Sequence, residues 1–195
     1  YDYNLNQVFF RDLDLRAPDR VLDVKAETLH DQLGNIISQT GKLLAEERPD
    51  ALVVLGDTNS ALSVINAKRM KIPIFHIEAG DRSYDENVPE ELNRRIVDHT
   101  ADVNLAYTEH SRRNLLREGI HPRRIFVIGS PIREVYEDLK DKFAASTILS
   151  QLKLEPGRFI TASIHREENV DRKGGLATLV EAFNEKSAAR FDIVI

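Results

Sequence analysis

The sequence predicts an α/β protein: a Rossmann-type domain built on a parallel sheet, then the first βαβ unit of a second Rossmann-like domain. Three observations predict it. Short β-rich apolar runs alternate with stretches of helical periodicity. Residues 131–156 change texture, becoming charged and helical and closing on the turn signal "LEPG". A fresh strand, "RFITASIH", then opens. The expected organisation is a first domain over 1–130, a helical linker over 131–156 and the start of a second domain over 157–195.

In chain order, "RVLDV" (Arg20 to Val24) reads as a weak strand and Ala26 to Glu47 as a long amphipathic helix. "ALVVLG" (Ala51 to Gly56) is the strongest strand signal, followed by a helix from Asn59 to Met70 and the strand "PIFHI". A helix opens at "VPEE", with Pro89 in its first turn. "VNLAY" is a strand, and "TEHSRRNLLREG" a helix capped by Thr108 and stopped by Gly119. "RIFVIG" is a strand. Beyond the linker, Gly174 to Glu185 reads as a helix and "FDIVI" as a strand.

Composition excludes several classes. The net charge is −5 with both signs mixed along the chain, unlike the clustered Lys and Arg of a nucleic-acid surface. With no cysteine there is no disulfide framework or thiolate metal site. No apolar run approaches the roughly 20 residues that span a bilayer, and no signal peptide opens the sequence. A cytoplasmic protein without nucleic-acid or membrane partners is expected. Starting on Tyr1 and stopping on the apolar "RFDIVI", the sequence reads as part of something longer.

In open parallel sheets, ligands bind beyond the carboxyl ends of the strands. Asp57 lies two positions past "ALVVL" and Glu78 one past "PIFHI". For "GDTNS" the plainer expectation is that Asp57 or Thr58 caps the next helix. For Glu78 it is an ion pair with Arg82, although the following Ala-Gly suggests open space beside the carboxylate and a role in chemistry. Glu90 and Glu91 fall in a first helical turn, where the dipole favours acids by about 0.3–1 kcal/mol. The spacing offers i,i+4 pairs Glu91–Arg95 and Arg94–Asp98. One glutamate is then structural and the other, Glu90, is spare for chemistry. "SIHREENVD" places His165 and Arg166 after a strand, as donors suited to phosphate oxygens; the alternative is a surface loop in which Arg166 pairs with Glu167 or Glu168. Separate carboxylates facing a His-Arg loop are what acid–base work on two faces of one carbon requires, in a cleft between two α/β domains.

On these residues the chain resembles the non-hydrolysing UDP-N-acetylglucosamine 2-epimerase family. The matching stretches are "YDYNLNQVFF", "GDTNS", "HIEAGDRSYDENVPEELNRRIVDH", "TEHSRRNLLREGI" and "HREENVD", in the family's order and over most of the chain. The resemblance implies a GT-B fold, with residues 157–195 opening a nucleotide-binding domain and the first domain lacking its first strand. It implies inversion of C2 in UDP-GlcNAc, giving UDP-ManNAc, by elimination of UDP and re-addition, with no metal and no cofactor. Carried over by motif, Asp57, Glu78, Glu90 and His165 are the catalytic residues, His165 near the diphosphate. Asn93, Arg94 and Arg166 are substrate-binding, and a homodimer is expected. Which carboxylate removes the proton stays open. The "GDRSY" and "HREEN" wording is similar to a branch acting on UDP-2-acetamido-2,6-dideoxyhexoses in capsule and O-antigen precursor synthesis. A hydrolysing epimerase, a GT-B glycosyltransferase and a non-catalytic nucleotide-sugar binding module are the competing readings.

Overall fold

Four parallel strands, hydrogen-bonded in chain order, carry the first part of the molecule in this computed structural model. The structure describes residues 7–163, 177–178, 180–183 and 192–194. The chain divides into two compact units, Tyr1–Pro131 and Ile132–Ile195.

In the first unit a short helix, α1 (Gln7–Asp12), precedes the long α2 (Leu29–Glu47). The strands β1 (Leu52–Leu55), β2 (Ile74–Ile77), β3 (Val103–Ala106) and β4 (Ile125–Val127) alternate with α3 (Val64–Arg69), α4 (Pro89–Thr100) and α5 (Glu109–Arg117). The strand order runs in one direction, so no reversal falls within these four strands. Register pairs Val54 with His76, His76 with Asn104 and Asn104 with Ile125, which puts these side chains on one face. The helices pack on that face. Val64, Ala67 and Val97 meet Ile74, and Leu115 meets Ala106 and Ile125. The opposite face carries Val53, Leu55, Phe75, Ile77, Val103, Leu105 and Phe126. Val53, Leu55 and Phe126 there are exposed among the described residues.

Local chemistry explains the element ends. α2 starts at Leu29 because the Thr28 hydroxyl accepts the Asp31 N–H at 3.1 Å. α4 has Pro89 in its first turn, where a missing N–H costs nothing. Thr108 caps α5 by accepting the Ser111 N–H, and Gly119 (φ +85°) turns the chain out after it.

Two expectations fail here. Arg20 to Val24 form no strand: the segment has no ladder partner, Val21 is exposed, and Arg20 instead pairs with Glu47 at the end of α2. The expected helix from Asn59 to Met70 is two pieces, a 3-10 turn (Asn59–Ser63) leading into α3.

In the second unit, α6 (Ile132–Ala144) and the short α7 (Ile148–Gln151) precede β5 (Phe159–Thr161), which pairs in parallel with β6 (Asp192–Val194). Residues 177–178 and 180–183 are helical; the rest of the helix expected over Gly174 to Glu185 lies outside the described residues. No described helix is long and apolar enough to cross a membrane.

Candidate active site

β1 and β2 end side by side, and each hands over to an acidic residue. After β1, Gly56 (φ +73°) donates its N–H to Ile77 O at 3.1 Å and turns the chain into Asp57. After β2, Glu78 itself takes φ +69°, a conformation uncommon outside glycine. The turn is held because the Glu78 and Ala79 N–H groups both reach Leu105 O, at 3.0 and 3.2 Å. A non-glycine residue held in this region is the kind of strain that gathers at functional sites.

Arg94, from the second turn of α4, joins the two ends. Its Nη2 donates to Glu78 Oε1 at 3.0 Å and also to Asp57 Oδ2, while Nε reaches the same Asp57 oxygen at 3.0 Å. Nη1 donates to the Glu78 backbone carbonyl at 2.9 Å and lies 3.4 Å from Asp81 Oδ2. One guanidinium therefore faces three carboxylates. Burial works against the Arg94 charge, but the bonds from Asp57 and Glu78 outweigh it and raise its pKa. Tyr107, just past β3, is also raised, by burial first and then by the negative charges of Glu78 and Asp81, and so stays a neutral phenol.

The two glutamates at the start of α4 divide sharply. Glu91 is buried; its Oε2 accepts the Ser83 N–H at 2.8 Å and its Oε1 the Arg95 Nε at 2.9 Å. Burial raises its pKa, yet the Ser83 and Arg95 bonds leave it below the ordinary value. Glu90 is exposed and has no hydrogen-bond or ion-pair partner among the described residues. It stands one helical turn before Arg94, on the same side of α4. Asn93 is buried and donates from Nδ2 to Asn59 Oδ1 at 2.8 Å, tying α4 to the turn after β1.

The structure thus brings Asp57 and Glu78 onto one arginine and sets Glu90 a turn away. His165 and Arg166 lie outside the described residues. Several plainer expectations give way. Thr58 makes no side-chain capping bond, and Asp57 is held by Arg94 instead. Arg82 does not pair with Glu78; it turns to Asp98 at 2.8 Å and Glu118 at 2.7 Å. The Arg94–Asp98 pair does not form either, because Arg94 points to the strand ends. Nor does Ala-Gly leave open space: a Cβ on Gly80 (φ +84°) would lie 2.4 Å from Ser111 O and 2.8 Å from Leu115 Cγ. Gly80 is small so that α5 can approach.

Sequence reasoning missed Asp81 and the buried pair His76–Asp98, joined at 2.8 Å. The alternation of β2 was a usable signal for His76, since it sets that residue on the same face as Ile74. Among the described residues, no group of three or more His, Cys, Asp or Glu could hold a metal ion.

The fold is a parallel α/β sheet whose strand ends deliver two carboxylates to a shared arginine, at the end of the sheet where such folds bind ligands. The sequence matches the model of the family described as UDP-N-acetylglucosamine 2-epimerase over residues 1–195, and the chain belongs to that family. It superposes on the UDP-N-acetylglucosamine 2-epimerase structure from Rickettsia bellii with a TM-score of 0.84 and 42% identity, over 98% of this chain and 50% of that one. The Methanocaldococcus jannaschii UDP-GlcNAc 2-epimerase, solved in complex with UDP-GlcNAc and UDP, gives 0.86 and 36%, over 95% and 52%. A Pseudomonas aeruginosa relative, 34% identical over 95% of this chain and 52% of its own length, is named UDP-2,3-diacetamido-2,3-dideoxy-D-glucuronate 2-epimerase. The expected α/β, GT-B-like class is the class of these structures. The chain spans about half the length of the curated relatives it matches.

Proposed function

We propose that the whole protein inverts C2 of UDP-N-acetylglucosamine to give UDP-N-acetylmannosamine, without hydrolysing it. The observation that carries this reading is the grouping of Asp57 and Glu78 on Arg94, with Glu90, which has no partner among the described residues, one turn away. A carboxylate takes the C2 proton while the C1–O bond to UDP breaks, leaving a C1–C2 double bond and free UDP. In the return, a UDP oxygen adds to C1 and a second carboxyl group, protonated and on the opposite face, gives C2 its proton; the two carboxyl groups then reset by exchange with solvent. Atoms and charge balance with no added reagent. Such proton transfers are worth about 10²–10⁴-fold each. Arg94 fixes the direction of two carboxylates; Glu90, without a partner among the described residues, is available to a ligand. His165 and Arg166 are proposed to face the diphosphate, with Asn93 and Arg94 on the substrate side, in a homodimer.

Incubation of the whole protein with UDP-GlcNAc in D2O is expected to place deuterium at C2 and yield UDP-ManNAc. Protium retained at C2, or free ManNAc with UDP, would refute the reading. The "GDRSY" and "HREEN" wording supports a second reading in which the substrate is a UDP-2-acetamido-2,6-dideoxyhexose and the chemistry is the same; the Pseudomonas relative is named for yet another UDP sugar, a diacetamido-dideoxyglucuronate. Comparing kcat/KM for the two sugars decides between them.

A further inference from the structure

We propose that His76 and Asp98 form a buried imidazolium–carboxylate pair that positions the Asp57 and Glu78 loops against each other. Both side chains are wholly buried on the helix-covered face of the sheet. His76 Nε2 lies 2.9 Å from Gly56 O, the residue before Asp57. A carbonyl only accepts, so Nε2 carries a hydrogen. His76 Nδ1 lies 2.8 Å from Asp98 Oδ1. The other oxygen, Asp98 Oδ2, accepts the Gly80 N–H at 3.2 Å and faces Arg82 Nη2 at 2.8 Å. The Gly80 N–H and the Arg82 guanidinium are both independent of His76, and an amide donor and an opposite charge favour a carboxylate over a carboxylic acid. With Asp98 charged, the hydrogen in the His76–Asp98 bond belongs to Nδ1, and both ring nitrogens are protonated.

Charge bookkeeping agrees. Arg82 also binds Glu118 through two bonds of 2.7 Å. His76 and Arg82 as cations then offset Asp98 and Glu118. A neutral imidazole beside a charged Asp98 would leave a net negative charge in the interior and turn a lone pair toward a carboxylate oxygen, both costly where water is absent. A protonated Asp98 donating to a bare Nδ1 would also balance, but it gives up the charge pairing of Asp98 with Arg82.

The placement explains why an ion pair stands where two apolar side chains would pack more cheaply. One end holds the carbonyl immediately before Asp57, and the other holds the amide two residues after Glu78. The pair ties the two strand ends together through their backbones, as Arg94 does through the side chains of Asp57 and Glu78. His76 touches no reacting atom; it acts through the backbone of its neighbours.

This inference rests on the epimerase reading for its activity arm, and the test separates the two. In the whole protein labelled with 15N at histidine, the His76 resonances are assigned by their loss in His76→Gln. Both ring nitrogens of His76 protonated is the expected result; a ring with one bare nitrogen overturns the proposal. His76→Gln keeps a donor for Gly56 O and loses the one for Asp98, while His76→Asn does the reverse. Each is expected to lower kcat for C2 exchange about 10- to 100-fold, with KM changed less than about twofold. Folded variants with full kcat overturn the positioning role while the epimerase reading stands. Should the wild-type protein exchange nothing at C2, that reading fails, and the tie is measured through the Gly80 amide. Its hydrogen exchange is expected to be at least about tenfold faster in His76→Gln, and an unchanged rate overturns the proposal. If neither variant folds, the protonation state of the wild-type ring decides alone.

Discussion

Arg94 Nη2 sits 3.0 Å from Glu78 Oε1 and binds Asp57 with the same nitrogen, so one side chain sets the direction of both strand-end carboxylates. Arg94→Lys keeps the charge but loses the planar fork that serves several oxygens at once. The expected outcome is a fall of about 100-fold in C2 exchange, from misdirected carboxylates rather than lost binding alone. Single-turnover exchange in D2O measures it. A lysine variant with wild-type rate would remove Arg94 from the positioning of the site.

Glu90 and Glu91 are adjacent, yet their replacements should separate cleanly. Glu90→Gln removes an exposed carboxylate that has no partner among the described residues, so stability should change by less than about 0.5 kcal/mol. Its C2 exchange should nonetheless slow by about 10²–10⁴-fold. Glu91→Gln keeps one acceptor oxygen but turns an NH2 donor toward either the Ser83 N–H or Arg95, losing one contact and the charge of a buried group, and should cost about 1–3 kcal/mol. Urea unfolding alongside the exchange assay gives both numbers for each variant.

Gly80→Ala should be among the more damaging single-methyl changes in the first unit. The added carbon would lie 2.4 Å from Ser111 O, at a φ of +84° that side chains rarely take. Backbone cannot yield as a flexible side chain can, so a loss above about 2 kcal/mol is expected by thermal unfolding. By contrast, Gly119→Ala meets nothing within 4 Å and carries only the conformational cost, about 1 kcal/mol.

Glu118 links stability to acid. Its bonds to Arg82 hold its pKa below the ordinary 4.5, with burial opposing and losing. A carboxylate whose folded pKa is depressed contributes fully above the unfolded value and loses its contribution as pH falls through the folded one. Stability should therefore decline as pH drops below about 4.5, and Glu118→Gln should flatten that part of the curve. Unfolding midpoints between pH 3 and pH 7 (roughly the range spanning the carboxylates) check it. An equal slope in both proteins would show that Glu118 carries none of the linkage.

The alternation of period-2 and period-3.6 patterns determined the four strands, the helices α4 and α5 and the element starts at Pro89 and Thr108, because local backbone preference and side-chain burial point the same way there. It also determined that Asp57 and Glu78 stand at strand ends, since a residue's place after a strand follows from where the apolar run stops. Pairing was a different matter. Arg94 has Glu90, Glu91 and Asp98 within helical reach, and only the packing of α4 against β2 and the turn after β1 decided that it would turn to Asp57 and Glu78. His76 and Asp98 lie 22 positions apart, and Arg82 and Glu118 lie 36. Local sequence carries no record of such distances; they are set when helix and sheet close over a dry interior, where every charge must find a partner. Arg20 to Val24 mark the same limit from the other side: a β-favouring run becomes a strand only when a neighbour offers its edge.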